Sequence, residues 1–102
     1  MKLEWSQEAI DNLNSIYDYY FIKSPTVARH IYNLIIDEAE RLSANPLIGV
    51  IIKEISDKEI KFRSLVVVRG IFKIIYIVQE DNIYIYRIWD CRQHPKKLKD
   101  KR

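Results

Sequence analysis

The spacing of apolar residues changes period part-way along the chain, and this change constrains the fold more than any other feature. Before Pro46, apolar side chains recur at intervals of three and four residues, the period of one face of an α-helix. After Pro46 the chain becomes rich in β-branched residues, and apolar side chains alternate with others, the period of a β-strand. Helices followed by strands predict an α+β fold, with a helical hairpin packed on one face of an antiparallel sheet.

Two helices are predicted in the first half, and each has a capping residue. Ser6 is placed to cap the first helix, whose opening turn carries acidic side chains that suit the helix dipole. Ser24 is placed to cap the second helix, with Pro25 at its first position, and this helix should end before Asn45-Pro46. Because only a tight turn separates them, the two helices should form an antiparallel hairpin. The apolar positions are Ala9, Ile10, Leu13, Ile16, Tyr17 and Tyr20 in the first helix, and Ala28, Ile31, Tyr32, Ile35, Ala39 and Leu42 in the second.

Three strands are predicted in the second half, at residues 59–68, 71–78 and 83–89. Arg69-Gly70 and Glu80-Asp81-Asn82 supply the short connections, so these strands should form an antiparallel meander. Leu3–Trp5 is expected to add an edge strand, and Val50–Ile52 reads as a short strand or extended segment. The expected order is therefore β-α-α-β-β-β.

Alternation within these strands predicts which side chains share a face. In residues 59–68 it places Ile60, Phe62, Val66 and Val68 on one face and Lys61, Arg63 and Arg69 on the other. Lys73 interrupts the set Ile71, Ile75 and Ile77, and Arg87 interrupts the set Ile83, Ile85 and Trp89. A cation is costly to bury alone, so these side chains should face a groove, a carboxylate or a ligand.

Charge is divided between the two halves of the chain. Residues 1–57 carry five basic and nine acidic side chains, whereas residues 58–102 carry twelve basic and five acidic ones, within a total net charge of +3. The acidic half is the helical one, and the basic half contains the strands and the basic C-terminal segment 91–102. This segregation indicates a surface for an anionic partner.

Composition excludes several classes of protein. At 102 residues the chain should form one domain, residues 1–102, and 48% hydrophobic content is ample for a core. No apolar run approaches the ~18 residues of a membrane span, and the first residues lack the apolar core of a signal peptide. A single cysteine, Cys91, excludes an internal disulfide and suits a reducing compartment, so we expect a cytoplasmic protein that does not associate with membranes.

Basic residues on and beyond the strands are the candidates for chemistry. Several arginines on one sheet face would suit phosphate oxygens, which arginine binds with two parallel hydrogen bonds. Cleavage of RNA would further need a general base and a general acid, for which Lys61, Lys73, Asp90 and His94 are the candidates. The alternative is a set of surface charges with buried stems. No cofactor is expected, nor a metal site, because Cys91 and His94 lack evident third and fourth ligands.

A second feature is an excess of apolar residues at two places. The end of the first helix, Tyr17–Ile22, is apolar nearly all round, and residues 46–52 are unusually apolar for a loop. A partner chain could cover part of this surface, or these residues could join a larger shared core.

The chain resembles the RelE/ParE superfamily of toxins from type II toxin–antitoxin modules over nearly its whole length. The resemblance rests on the order and spacing of many positions rather than on one sharp motif. These positions are Trp5-Ser6, Ala9, Leu13, Ile16, Tyr19, Ser24-Pro25, Ala28, Leu42, Pro46, Gly49, Phe62-Arg63-Ser64, Lys73–Tyr76, Asp81–Ile88 and Trp89–Pro95.

The resemblance implies a small cytoplasmic toxin that a cognate antitoxin neutralises. It also implies that the toxin binds operator DNA only in complex with this antitoxin. ParE-like members poison DNA gyrase, and RelE-like members cleave mRNA on the ribosome, so enzymatic activity depends on the branch. We favour the ParE-like branch because of the long helical hairpin and the Pro46–Gly49 loop. A non-catalytic module that binds nucleic acid or an acidic protein is the alternative. The catalytic positions that the resemblance implies for the nuclease branch are Arg63, Lys73, Arg87, Arg92 and His94. We expect Lys61, Arg69, Lys96 and Lys97 to contact nucleic acid or the target.

Overall fold

A computed structural model describes residues 1–92 of the chain. Its elements are β1 (Lys2–Trp5), α1 (Gln7–Lys23), α2 (Pro25–Arg41), β2 (Val50–Ile51), a short 3₁₀ turn (Lys53–Ile55), β3 (Phe62–Val67), β4 (Phe72–Gln79) and β5 (Asn82–Asp90). The strands form one sheet in the order β1-β5-β4-β3-β2, in which β1 runs parallel to β5 and the other neighbours are antiparallel. The predicted α+β fold is confirmed, with Val50–Ile51 as a fifth strand.

Both helices begin at the predicted caps. The Ser6 hydroxyl accepts a hydrogen bond from the backbone N–H of Ala9, and the Ser24 hydroxyl accepts one from Val27. These bonds satisfy backbone donors that have no partner within the helix, which is why the chain starts a helix at each position. The predicted apolar stripe of α2 is buried at Ala28, Ile31, Ile35, Ala39 and Leu42.

The core lies between the helical hairpin and one face of the sheet. Ala9 and Leu13 of α1 pack against side chains of the three long strands, together with Ile31, Ile35, Ala39 and Leu42 of the α2 stripe. The strand residues of this core are Val67, Phe72, Ile74, Tyr76, Ile83, Ile85 and Ile88. No helix within residues 1–92 is long and apolar enough to cross a membrane.

The helices pack on a different face of β3 from the one that its apolar pattern indicates. Phe62 and Val66 share a face and Arg63 lies on the other, as alternation predicts, but the helices pack on the face of Arg63. Val67 is buried there, whereas Val66 is 53% exposed. Both faces of β3 carry apolar residues, so period alone does not identify the side that meets the helices.

The pairing of β4 with β5 contains an irregularity at Arg87. Ile75 lies opposite Arg87 and Tyr76 lies opposite Ile85, so Tyr86 is one extra residue in β5. A bulge of this kind changes the direction in which the following side chains point. As a result Ile88 joins the helix-facing core together with Ile83 and Ile85, although an unbroken alternation would exclude it.

Candidate functional site: a cleft between α1 and β5

A cleft of about 440 Å³ lies between α1 and the second half of β5. It combines an apolar interior with charged and hydroxyl-bearing side chains. Its walls come from α1, from the last residues of β5 and from the start of β4. The lining residues are Glu8, Asn12, Ser15, Ile16, Tyr19, Tyr20, Phe72, Arg87, Ile88, Trp89, Asp90 and Arg92.

The cleft exists because β5 continues beyond the end of β1. The parallel pairing of these strands ends at Trp5 opposite Ile85, and the chain then turns at Ser6 into α1. Polar side chains of α1 and its cap bond the exposed edge of β5 instead: the Ser6 hydroxyl donates to the Tyr86 carbonyl at 2.7 Å, and Asn12 Oδ1 accepts from the Ile88 N–H at 3.1 Å. These bonds satisfy backbone groups that a neighbouring strand would otherwise pair.

Arg87 is the buried cation of this cleft. Its side chain is 3% exposed, and its Nη2 lies 2.9 Å from Oε1 of Glu8, a carboxylate in the first turn of α1 that is 45% exposed. The guanidinium carbon also lies 5.1 Å from the centre of the Tyr86 ring, within the range of a cation–π contact. The ion pair between Arg87 and Glu8 therefore connects β5 to the start of α1, and its two residues are 79 positions apart in the sequence.

Arg92 is the exposed cation at the other end of the cleft. Its Nε and Nη2 donate to the two carboxylate oxygens of Asp90 at 2.9 and 2.8 Å, and its backbone N–H donates to Oδ1 at 2.9 Å. The hydrogen bond from Arg92 holds the pKa of Asp90 below its ordinary value. The same pair raises the pKa of Arg92, with a smaller contribution from Tyr20. Because the Arg92 side chain is 56% exposed, water competes for this guanidinium.

Arg63 has a different environment, outside the cleft. Its Nη1 donates to the carbonyl of Gly49 at 2.8 Å, and the Leu47 carbonyl lies 3.4 Å away. Tyr76, opposite Arg63 in the sheet, donates its hydroxyl to the Pro46 carbonyl and accepts the Gly49 N–H, both at 2.8 Å. Burial raises the pKa of the Tyr76 hydroxyl. Arg63 and Tyr76 therefore fix the Pro46–Gly49 loop.

The remaining predicted residues are dispersed. Lys73 lies on the sheet face away from the helices, in register with Val66 on one side and Trp89 on the other. Lys61 precedes β3 and donates to the Asp57 carbonyl, and Arg69 is exposed in the turn between β3 and β4. His94, Lys96 and Lys97 lie outside the described residues.

The structure does not bring the described cations together on one sheet face, the arrangement that would suit phosphate oxygens. Arg63 and Lys73 lie on opposite faces because three positions, an odd number, separate their register partners along each strand. Arg87 departs from alternation because of the extra residue Tyr86. Of the four predicted catalytic residues within residues 1–92, Arg87 and Arg92 line the cleft together, and Arg63 and Lys73 do not.

Glu8 and Asn12 are the site residues that the sequence did not reveal. Each is a polar residue on a surface helix, where acidic and amide side chains are ordinary. Their partners, Arg87 and Ile88, lie more than 70 residues away, so no local pattern connects them. Within residues 1–92, no group of three or more His, Cys, Asp or Glu side chains is placed to hold a metal ion.

Comparison with known proteins identifies the family. The model of the ParE toxin of the type II toxin–antitoxin system parDE matches residues 3–95, a range that runs from within β1 to beyond the end of β5. The chain belongs to the ParE toxin family. Among curated proteins, none matches this ParE family member.

A solved structure supports the same relationship. A chain from the chromosomal ParDE TA system of P. aeruginosa superposes with a TM-score of 0.71 and is 27% identical in sequence. The alignment covers 88% of this ParE-family chain and 95% of that one. The family match extends past Arg92, so both cations of the cleft belong to the part of the chain that the family shares.

Proposed function

We propose that this ParE-family protein arrests growth by binding DNA gyrase, and that it acts as a binding toxin rather than as a nuclease. The family match supports the toxin class. One observation carries the choice of target. Three of the cations expected to form a nuclease centre, Arg63, Lys73 and Arg87, are separated, and other groups hold Arg63 and Arg87.

Cleavage of RNA needs three functions at one point. A base removes a proton from the 2′-hydroxyl, a cation stabilises the phosphorane, and an acid protonates the leaving oxygen. Here Arg87 faces Glu8, Arg63 bonds the carbonyl of Gly49, and Lys73 lies on the opposite sheet face from Arg63. Bringing these three to one phosphate would require rebuilding the sheet pairing, whereas binding a protein target requires only a preformed surface.

The same proposal includes a partner and a compartment. A cognate antitoxin would bind this chain and prevent its access to gyrase, and the complex would occupy its own operator DNA. Gyrase and the antitoxin are both in the cytoplasm under this proposal, so the toxin acts there.

Ribosome-dependent mRNA cleavage is the second candidate, and one observation favours it. Arg87 and Arg92 line one cleft together with the hydroxyl-bearing Tyr19 and Tyr20. Two guanidinium groups near hydroxyls are suited to a phosphate. For this candidate, Arg87 would have to exchange its Glu8 partner for RNA.

Induced expression of the full chain separates the two candidates. We expect growth arrest, a DNA-damage response, and covalent gyrase–DNA complexes both in cells and with purified gyrase. Mapping of mRNA 5′ ends should show no new ribosome-dependent cuts. New cuts without trapped gyrase would instead establish the nuclease, and unimpaired growth at high expression would contradict both.

A pair of charge reversals tests the cleft as the effector surface. Arg92→Glu should abolish growth arrest and gyrase trapping, because Arg92 is the exposed cation of the cleft. The matched control is Arg29→Glu, the same charge change at an exposed position of α2 outside the cleft. Equal toxicity of the two variants would place the effector surface elsewhere.

A further inference from the structure

The exposed end of the cleft has a second cation beside Arg92, which is Lys23 in the last turn of α1. The Lys23 ammonium donates to the Tyr19 hydroxyl at 3.1 Å and lies 4.7 Å from the centre of the Tyr19 ring. Tyr19 lines the cleft and is 50% exposed. Lys23 therefore stands at the mouth of the cleft, although it is not part of the wall.

Arg92 approaches the same part of α1 from the chain just after β5. The hydrogen bond and charge of Lys23 lower the pKa of the Tyr19 hydroxyl, and the charge of Arg92 lowers it further. The pKa of Arg92 is raised chiefly by Asp90, and the Tyr20 hydroxyl adds a smaller increase. The rings of Tyr19 and Tyr20 meet edge to face, with their centres 5.0 Å apart. Two cations from the two sides of the cleft therefore flank one pair of hydroxyls.

The balance of charge differs between the two ends of the cleft. At the buried end, Arg87 faces the carboxylate of Glu8. At the exposed end, Lys23 and Arg92 stand against Asp90, the one other carboxylate of the lining. Within residues 1–92, no ion pair includes Lys23. The exposed end is therefore net positive and favours an anion.

A phosphate group fits the donors at this end. Its oxygens accept hydrogen bonds from ammonium, guanidinium and hydroxyl groups. The Tyr19 hydroxyl accepts its bond from Lys23, and no acceptor within residues 1–92 bonds the hydrogen of that hydroxyl. Arg92 uses two of its five guanidinium hydrogens on Asp90, so it can keep that carboxylate and still donate to a phosphate. Because these side chains are exposed, a phosphate within a polymer can reach them.

Exposed apolar side chains adjoin these donors. Ile22 and Lys23 follow Tyr19 by three and four positions, so the three side chains are neighbours on one side of α1. Ile22 is 87% exposed, and Phe21 and Val27 near it are also exposed. A group of exposed apolar side chains is typical of a surface that contacts another protein. An apolar group next to a cationic one suits a place where a protein and its bound DNA meet.

Stabilisation of a cleaved gyrase–DNA complex calls for a contact of this kind. A ligand shifts an equilibrium only by the difference between its affinities for the two states. A toxin that traps the covalent complex must therefore bind it more tightly than the species from which it forms. A bond to a phosphate of the DNA, which moves when the duplex is cleaved, supplies such a difference.

We propose that the mouth of the cleft binds a phosphate of the DNA that gyrase holds, through Lys23, Arg92 and the Tyr19 hydroxyl. The two cations neutralise the phosphate oxygens and the hydroxyl donates a hydrogen bond to one of them. This inference rests on the proposed function, because gyrase brings the DNA to the toxin. It adds DNA as a direct ligand of the toxin.

The test measures binding of the purified full chain to purified gyrase, with and without a DNA duplex that spans the cleavage site. Lys23→Gln should weaken binding to gyrase with DNA by about tenfold and change binding to gyrase alone by less than about twofold. It should also make the dependence of log K on log salt shallower by about 0.9, the value for one phosphate contact. Lys58→Gln, at an exposed lysine outside the cleft, is the matched control and should change neither quantity.

A second pair of variants tests the hydroxyl. Tyr19→Phe keeps the ring and removes the donor, so it should weaken binding to gyrase with DNA by about fivefold. Tyr17→Phe, on the same helix but outside the cleft lining, should not. Circular dichroism and thermal unfolding verify that each variant is folded. If Lys23 only stabilised the end of α1, Lys23→Gln would lower the melting temperature and leave the salt dependence of binding unchanged.

The outcomes separate this inference from the proposed function. If Lys23→Gln binds gyrase with DNA as tightly as the wild type and with the same salt dependence, the DNA contact is overturned while gyrase inhibition stands. Equal weakening with and without DNA would also overturn it, because Lys23 would then contact an acidic surface of gyrase. A wild-type chain that binds gyrase in neither condition would overturn the proposed function together with this inference.

Discussion

Arg87 in the cleft and Arg63 beside the Pro46–Gly49 loop are both strand arginines, but different chemistry holds them. Arg87 is almost fully buried and meets a carboxylate of α1. Arg63 is half-buried and meets backbone carbonyls of a loop. Removing charge should disturb the first region, and changing shape should disturb the second. In both regions, a cation within an apolar strand has a polar partner. The sequence pattern alone does not distinguish a partner within the protein from a bound ligand.

The largest expected effect is at Gly49, in the loop region. A Cβ there would lie 2.6 Å from the Tyr76 hydroxyl and 2.9 Å from the Ser64 carbonyl, so Gly49→Ala should reduce the free energy of unfolding by about 3 kcal/mol. Urea unfolding measures this loss. Gly70→Ala is the control, since no atom of residues 1–92 lies within 4 Å of its Cβ and its positive φ opposes the change, at about 1 kcal/mol. Equal losses for the two variants would refute the close packing at Gly49.

Tyr76→Phe should give the next largest effect. It keeps the buried ring but leaves the Gly49 N–H and the Pro46 carbonyl without their partner, at about 2 kcal/mol. The same unfolding experiment applies, with Tyr84→Phe as the matched control because, within residues 1–92, the Tyr84 hydroxyl makes a single hydrogen bond, at 3.3 Å from Asn82. A loss no greater than that of the control would show that the hydroxyl bonds do not stabilise the loop.

Glu8→Gln tests the charge in the cleft and should cost about 1 kcal/mol. Removing this carboxylate weakens the compensation of a buried guanidinium, but Glu8 is half-exposed and water screens the pair. A double-mutant cycle with Arg87→Met isolates the coupling between the two residues. Asp11→Asn, an exposed change on the same helix, is the control. Strictly additive losses would show that Glu8 and Arg87 contribute independently.

Asp90→Asn should give the smallest effect, below about 1 kcal/mol at neutral pH, because Arg92 is largely exposed. Arg92 lowers the folded pKa of Asp90, so the pair stabilises the protein above the ordinary aspartate pKa of about 3.9. That contribution is lost as the pH falls through the depressed folded value. Urea unfolding at neutral and acidic pH should therefore show the difference between wild type and Asp90→Asn vanish in acid. A difference that persists at low pH would contradict the ion pair.

Helix positions could be predicted from the sequence because their signals are local. Ser6 and Ser24-Pro25 satisfy backbone donors within three residues, so the pattern that predicts each helix start also causes it. The strands of the meander were predictable for the same reason, since short turns connect neighbours. The hairpin on one sheet face then followed from the apolar stripe of α2.

The site could be predicted only in part, because its contacts depend on the register of distant strands. Arg87 was recognisable as an unusual cation, but its partner Glu8 is an ordinary residue of a first helical turn. The extra residue Tyr86 shifts every later side chain of β5, and nothing in the sequence Tyr84–Arg87 marks it. On β3, both faces carry apolar residues, so the sequence did not reveal which face meets the helices. For the same reason it did not reveal that Arg63 and Lys73 lie on opposite faces.

The pairing of β1 with β5 has a consequence for the order in which this protein becomes folded during synthesis. Residues 2–5 pair with residues 82–85, and Glu8 bonds Arg87. The first strand and the cleft therefore cannot form until β5 has been made. The helical hairpin, by contrast, is built from contacts near in sequence and can form early. A nascent chain can therefore form its helices before it has a cleft, and the cleft is completed only after β5 has been synthesised.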